Sequence, residues 1–253
     1  MKMRKILLYF ALKYQGNYAL IMQAIKNKEQ VSSNELTDIE KKIKCHYVTI
    51  IDREYPKSLI PIANPPIVLF YYGDLSLTQN EKEIIAIIGN RKYSSYGQKM
   101  TQQMVKELQT YNVIIVSGLA TGIDSIAHRA ALDNQIPTIA VLGSGIDCCY
   151  PSCNKQTYER IKKEGLILSE YPNDVSPEPK NFLIRNRIIA ALSKTIVVTE
   201  AKHKSGTMNT VAYGLEYGKD ICAIPYLAGH QSGCNDLIKQ GAKLVESARD
   251  IYE

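Results

Sequence analysis

The sequence has no tryptophan, only three phenylalanines, and no apolar stretch near the length a membrane-spanning helix needs, which is roughly 18 or more consecutive residues. A membrane partner is therefore not expected. Several chemical signatures are also missing. No Gly-x-x-x-x-Gly-Lys-Ser/Thr occurs, which argues against a P-loop nucleotide hydrolase. Gly143-Ser144-Gly145 runs into Ile146-Asp147-Cys148 instead of completing a dinucleotide fingerprint, so hydride transfer loses its usual support. Ser117 and Ser205 adjoin glycines, but neither lies in Gly-x-Ser-x-Gly, and an esterase elbow is absent. The six cysteines show no metal pattern. Cys148 and Cys149 are adjacent and cannot easily both ligate one zinc, and no fourth ligand follows Cys153 at finger spacing. No metal, cofactor or catalytic residue is expected, and the thiols read as reduced ones in a cytoplasmic protein. Lys2 to Phe10 is basic and apolar but is followed by no small-residue cleavage site, so it reads as a surface helix and not a signal peptide.

What is present suits a globular protein. With 253 residues, 45% of them hydrophobic, the chain can bury one large α/β core with a small appendage. The net charge of +6 suits an anionic partner without requiring one. The seventeen tyrosines either reflect compositional bias or offer stacking surfaces for bases.

The organising stretch is Ile84 to Leu132. Ile84-Ile85-Ala86-Ile87-Ile88 stops at Gly89, and Met100, Met104, Val105 and Leu108 follow at helical spacing. Val113-Ile114-Ile115-Val116 then runs into Ser117-Gly118, and Ile123 to Leu132 reads as a second helix. Short apolar runs ended by glycine describe strands buried on both faces, and their alternation with helices implies parallel pairing. The alternation continues with strands at Pro137–Leu142, Leu166–Ser169, Thr195–Thr199, Asp220–Ile224 and Lys243–Val245. Before it come helical spacing up to about residue 30 and two extended runs, Tyr47–Ile51 and Ile67–Tyr72. The expected fold is an extended Rossmann-like, doubly wound, mostly parallel sheet over residues 76–253. A small N-terminal helical region and linker over 1–75 precede it, and no C-terminal winged-helix domain is expected.

In such a fold ligands bind beyond the carboxyl ends of the strands. The turns at Gly89, Gly118, Gly143, Glu200 and Pro225 lie on that edge, and Arg91, Lys155, Arg185 and Arg187 are expected to converge there. Arginine's planar fork suits phosphate. His128 reads as a half-buried, hydrogen-bonded imidazole with Asp124 as a candidate partner.

The motifs resemble the DNA-processing protein A family, DprA or Smf. They are Ile88-Gly89-Asn90-Arg91, Val116-Ser117-Gly118-Leu119-Ala120-x-Gly122-Ile123-Asp124, Ala140-Val141-Leu142-Gly143-x-Gly145, Tyr150-Pro151 with Asn154, Ser169-Glu170-Tyr171-Pro172, Arg185-Asn186-Arg187-Ile188-Ile189 and Ser205-Gly206-Thr207. The resemblance covers roughly residues 45 to 245. It implies an extended Rossmann fold that binds single-stranded DNA, forms a homodimer and helps load the recombinase RecA, without being an enzyme. It also implies a DNA pocket built from Gly89, Arg91, Ser117, Gly118, Lys155, Arg185, Arg187, Ser205, Gly206 and Thr207. Two departures stand out: Tyr226 follows Pro225 where glycine is usual, and Phe182-Leu183-Ile184 replaces a lead containing proline and arginine. The competing class is a nucleotide phosphoribohydrolase of the related superfamily, whose catalytic glutamate position is occupied here by Thr210, with Glu200 as the nearby carboxylate.

Overall fold

Each of the apolar runs becomes a strand. The computed structural model describes residues 2–79 and 81–253, and Asn80 lies outside the described residues. The strands are β1 (His46–Thr49), β2 (Val68–Gly73), β3 (Glu83–Gly89), β4 (Val113–Ser117), β5 (Thr138–Val141), β6 (Leu166–Ser169), β7 (Thr195–Glu200), β8 (Asp220–Ala223) and β9 (Lys243–Leu244). They form one sheet in the order β1-β2-β6-β5-β4-β3-β7-β8-β9. From β6 to β9 every pairing is parallel, whereas β2 pairs antiparallel with β6 and with β1. The expected division near residue 75 falls inside this sheet, because β2 is hydrogen-bonded to β6 along its length.

The β3 side chains alternate between two cores. Ile85 and Ile87 join Met104, Val105 and Leu108 on one face, while Ala86 and Ile88 join Ile188, Ile189 and Val211 on the other. Residues i and i+2 of a strand share a face, so helices must cover both sides. One side is covered by α4 (Ser95–Leu108) and α5 (Ile123–Asp133), the other by α7 (Pro179–Leu192), α8 (Gly206–Glu216) and α9 (Gly233–Lys239). A third cluster seats α1 (Lys2–Lys13) and α2 (Tyr18–Lys26) on Phe70, Ala140 and Ile167, beside α6 (Lys155–Glu164).

The connectivity locates the site. From β3 the chain winds outward through β4, β5 and β6, then returns to place β7 on the opposite side of β3. Diverging connections leave a crevice at the carboxyl ends of β3 and β7, the usual ligand position in open α/β sheets.

Candidate functional site

A cleft of about 560 Å³ lies at that switch point. Its walls come from the end of β3 and the turn after it (Gly89, Asn90, Arg91), the turn before α5 and its first turn (Ala120, Asp124), Tyr150, the α7 residues Phe182, Leu183, Arg185 and Asn186, and Ser205, Gly206, Thr207 and Thr210 around the start of α8. Close packing fixes the β3 end. A Cβ on Gly89 would lie 2.6 Å from Ile123 and 2.8 Å from the Glu200 carbonyl oxygen, closer than any side chain tolerates. Asn90 then ties three loops together. Its amide donates to the Glu200 carbonyl (2.8 Å), its carbonyl accepts from the Ile123 amide (3.1 Å), and its side chain bonds the Glu200 carboxylate (3.1 Å) and the Lys202 amide (3.2 Å). The next residue, Arg91, is left exposed at the mouth.

Arg91 sits on an aromatic rim. Its guanidinium lies 5.3 Å from the Phe182 ring centroid, and Phe182 is tilted against Tyr150 at 5.6 Å. Stacking on a ring holds an arginine's plane without using its donors. Opposite it, Ser205 precedes α8 but does not cap it, its hydroxyl donating to the Lys202 carbonyl instead (3.2 Å). Thr207 turns its hydroxyl to the Gly89 carbonyl (3.0 Å). A helix start without a side-chain cap presents amide donors and a partial positive charge to an anion.

Arg185 forms the floor. It is 2% exposed, and it donates to the carbonyls of Gly118 (2.7 Å) and Val141 and, through Nε, to Asn186 Oδ1 (3.2 Å). Burial pulls its pKa down to about 10; Asp124 opposes the fall and Arg91 adds to it. The group therefore stays charged at neutral pH. Burial likewise raises the Asp124 carboxyl, against the pull of Arg185. Asn186 links this floor to the wall, donating to the Gly206 carbonyl (3.2 Å) and to Asn209 (3.3 Å).

Six of the ten expected positions thus line one hollow: Gly89, Arg91, Arg185, Ser205, Gly206 and Thr207. The other four are not among its walls. Ser117 is fully buried, its hydroxyl spent on the Ile87 carbonyl (2.7 Å). Gly118 lies behind Arg185, where an added Cβ would collide with the guanidinium. Lys155 is exposed at the start of α6, a helix whose preceding Asn154 is pinned to the Leu119 carbonyl (2.9 Å). Arg187 points away, because two residues along a helix turn a side chain by about 200°. Its five N–H donors are all used: on both Glu170 oxygens (2.7 and 2.8 Å), twice on the Asn64 carbonyl, and on the Ile184 carbonyl. Phe182 and Asn186 were not singled out for the site from the sequence; only the helix register that puts Arg185 inward reveals them.

The Gly118 contact gives a first expected result. Gly118→Ala should push Arg185 off its carbonyl partners and cost about 1–3 kcal/mol, the usual range for overpacking, read by chemical denaturation. Unchanged stability would show that the guanidinium can move aside freely.

His128 is fully buried and not half-buried, and its Nδ1 lies 2.8 Å from the Thr138 hydroxyl. That hydroxyl, not Asp124, is its partner. Among the described residues no group of three or more His, Cys, Asp or Glu side chains could hold a metal ion, and all six cysteines are free.

Comparison with known proteins gives the family. The family model described as DNA recombination-mediator protein A matches residues 46–253. The DNA processing protein DprA of Streptococcus pneumoniae is 43% identical over 205 residues, which span 80% of this chain and 72% of that one. The X-ray structure of DNA processing protein A from Streptococcus pneumoniae superposes with a TM-score of 0.82 at 34% identity, covering 98% of this chain and 95% of that one. DNA processing protein A from Helicobacter pylori, whose structure concerns its single-stranded DNA binding mode, gives a TM-score of 0.74 at 32% identity over 82% of this chain and 94% of that one. By sequence and fold, this chain belongs to the DNA recombination-mediator protein A family.

Proposed function

We propose that the cleft binds single-stranded DNA, and that the chain protects incoming DNA and helps load the RecA recombinase in natural transformation or recombination. The reading extends to a cytoplasmic homodimer. The observation that carries it is the cleft itself, where the exposed Arg91, the buried Arg185 and the uncapped start of α8 surround one hollow, with Phe182 and Tyr150 on its rim. Guanidinium and amide donors suit phosphate, and the two rings offer faces to bases whatever their sequence. Lys155, exposed at the start of α6, is a further cation that the resemblance assigns to the strand. Leu215 on α8, 65% exposed, supports a face for a second copy.

The reading as a binding site without bond cleavage is supported by two positions. Thr210 lines the cleft where related phosphoribohydrolases carry a glutamate, and a hydroxyl cannot stabilise charge as a carboxylate does. Glu200, the nearby carboxylate, is held by Ser94 through its amide (3.0 Å) and hydroxyl (2.7 Å) and by Asn90, outside the cleft wall. Release of free base from a nucleoside monophosphate by the purified protein would reverse this ranking.

The test is fluorescence anisotropy with a labelled oligonucleotide across salt concentrations, for the wild type and Arg91→Ala. Losing one charge-assisted contact should weaken single-strand binding about 10- to 100-fold. It should also flatten the slope of log affinity against log salt by about 0.7, one phosphate's share. Duplex of the same length should bind more weakly. Equal affinity and slope in the two proteins would place the DNA somewhere other than this cleft.

A further inference from the structure

The N-terminal part of α7 is a wall shared by two hollows. Pro179, Phe182 and Leu183 border the cleft, while Lys180, Asn181 and Ile184 border a second hollow of about 440 Å³ between α7 and the turn joining α1 to α2. We propose that this second hollow takes a neutral planar heterocycle, a base of the same DNA strand as it leaves the cleft. The proposal rests on the single-strand reading of the cleft.

Charge decides against phosphate there. The floor is the Arg187–Glu170 pair, with both side chains 4% exposed and every guanidinium donor occupied. Lys180 at the border is paired with Glu178 at 2.7 Å. Each lining cation therefore has a carboxylate beside it, which disfavours an anion there. The open hydrogen-bonding capacity is neutral. Asn181 is 6% exposed, lines the hollow, and its carboxamide has no hydrogen-bond partner among the described residues. Its coplanar donor and acceptor match the edge of a base, as asparagine matches adenine.

The walls supply the rest. Tyr18, Tyr171 and Tyr213 line the hollow, and Leu20 and Ile184, 43% and 41% exposed, stand at its edge. Three aromatic side chains beside a fixed carboxamide can hold a small planar ligand between them. The site is also built in advance. Gly16, at φ +75°, brings the α1–α2 turn so close to the Glu170 carbonyl that a Cβ there would collide with it. Between the two hollows lies one helix, about 10–12 Å across. Roughly three stacked nucleotides, at about 3.4 Å each, cross that ridge.

The experiment compares oligo(dA) of about 4 and about 10 nucleotides on the full chain. The wild type should bind the longer strand more tightly. Asn181→Ala and Tyr18→Ala should each weaken the longer strand at least about fivefold, the low end for losing a base contact, and leave the shorter one unchanged. Arg91→Ala should weaken both lengths. If Arg91→Ala is weak while Asn181→Ala and Tyr18→Ala bind the longer strand like wild type, the second hollow is refuted and the cleft stands. If Arg91→Ala also binds both lengths normally, the cleft reading itself has failed. Photocrosslinking of unmodified protein to a strand carrying one 5-iodouracil, stepped along its length, is independent of any variant's folding. Adducts on Tyr18 or Tyr213 support the proposal, and their absence at every position of the probe overturns it.

Discussion

Arg187→Met should cost the fold about 3–5 kcal/mol, because it strands Glu170 as an uncompensated charge in the interior. Both partners are 4% exposed, so solvent does little to screen the pair. The loss corresponds to a fall in melting temperature of about 6–20 °C for a chain of this size. Replacing both residues, as Arg187→Met with Glu170→Leu, should recover much of that loss, since two buried charges and their desolvation are removed together. Recovery should be incomplete, as the Asn64 and Ile184 carbonyls also lose their donors. The same variant separates structure from recognition. At a temperature where it is folded, Arg187→Met should keep the wild-type salt dependence of DNA binding, whereas Arg91→Ala should not. A flattened salt slope in Arg187→Met, with stability intact, would return Arg187 to the DNA contact that the motif resemblance assigns to it.

Arg187 also shows where the sequence stops being legible. The resemblance assigns the run Arg185-Asn186-Arg187 to the DNA pocket, but two arginines two positions apart fall on different sides of a helix, and both cannot serve one cleft. Which one turns inward depends on where Glu170 lies, and Glu170 reaches α7 only because β6 ends beside it. The strands were readable because apolar runs such as Ile84 to Ile88 and Val113 to Val116 have little alternative to a doubly covered sheet. So was the edge where the cleft lies, since Gly89 and the Ser205-Gly206-Thr207 turn end adjacent units. Strand direction was not. Tyr47–Ile51 and Ile67–Tyr72 look like the other strands, and only the pairing of β2 with β6 shows that they extend the sheet antiparallel. The resemblance places Ser117-Gly118 in the DNA pocket, where glycine would permit a strand's close approach. The group that approaches is the protein's own Arg185.

The second large effect concerns His128, a titratable group that the cleft does not use. It is completely buried, and burial, aided by the charge of Arg185, pushes its pKa down to about 3. In the unfolded chain a histidine titrates near 6.5. Above that pH the imidazole is neutral in both states and contributes no pH dependence. As pH falls below 6.5 the unfolded chain takes up a proton that the folded one refuses, so stability drops toward about 1.4 kcal/mol per pH unit. The expected loss is about 2 kcal/mol at pH 5 and about 4 kcal/mol near pH 3, where the folded imidazole begins to protonate. Carboxylates titrate over part of that range, so the measurement is a difference between wild type and His128→Asn. The asparagine can still donate to the Thr138 hydroxyl but cannot titrate. It should be less stable than wild type by about 1–2 kcal/mol at pH 7.5, as core substitutions usually are. The gap should close as the solution is acidified below pH 6.5 and reverse near pH 5. Parallel stability curves over pH 7.5 to 4.5 would mean that His128 protonates as easily in the folded protein as outside it, and that the pocket between α5 and β5 admits a charge.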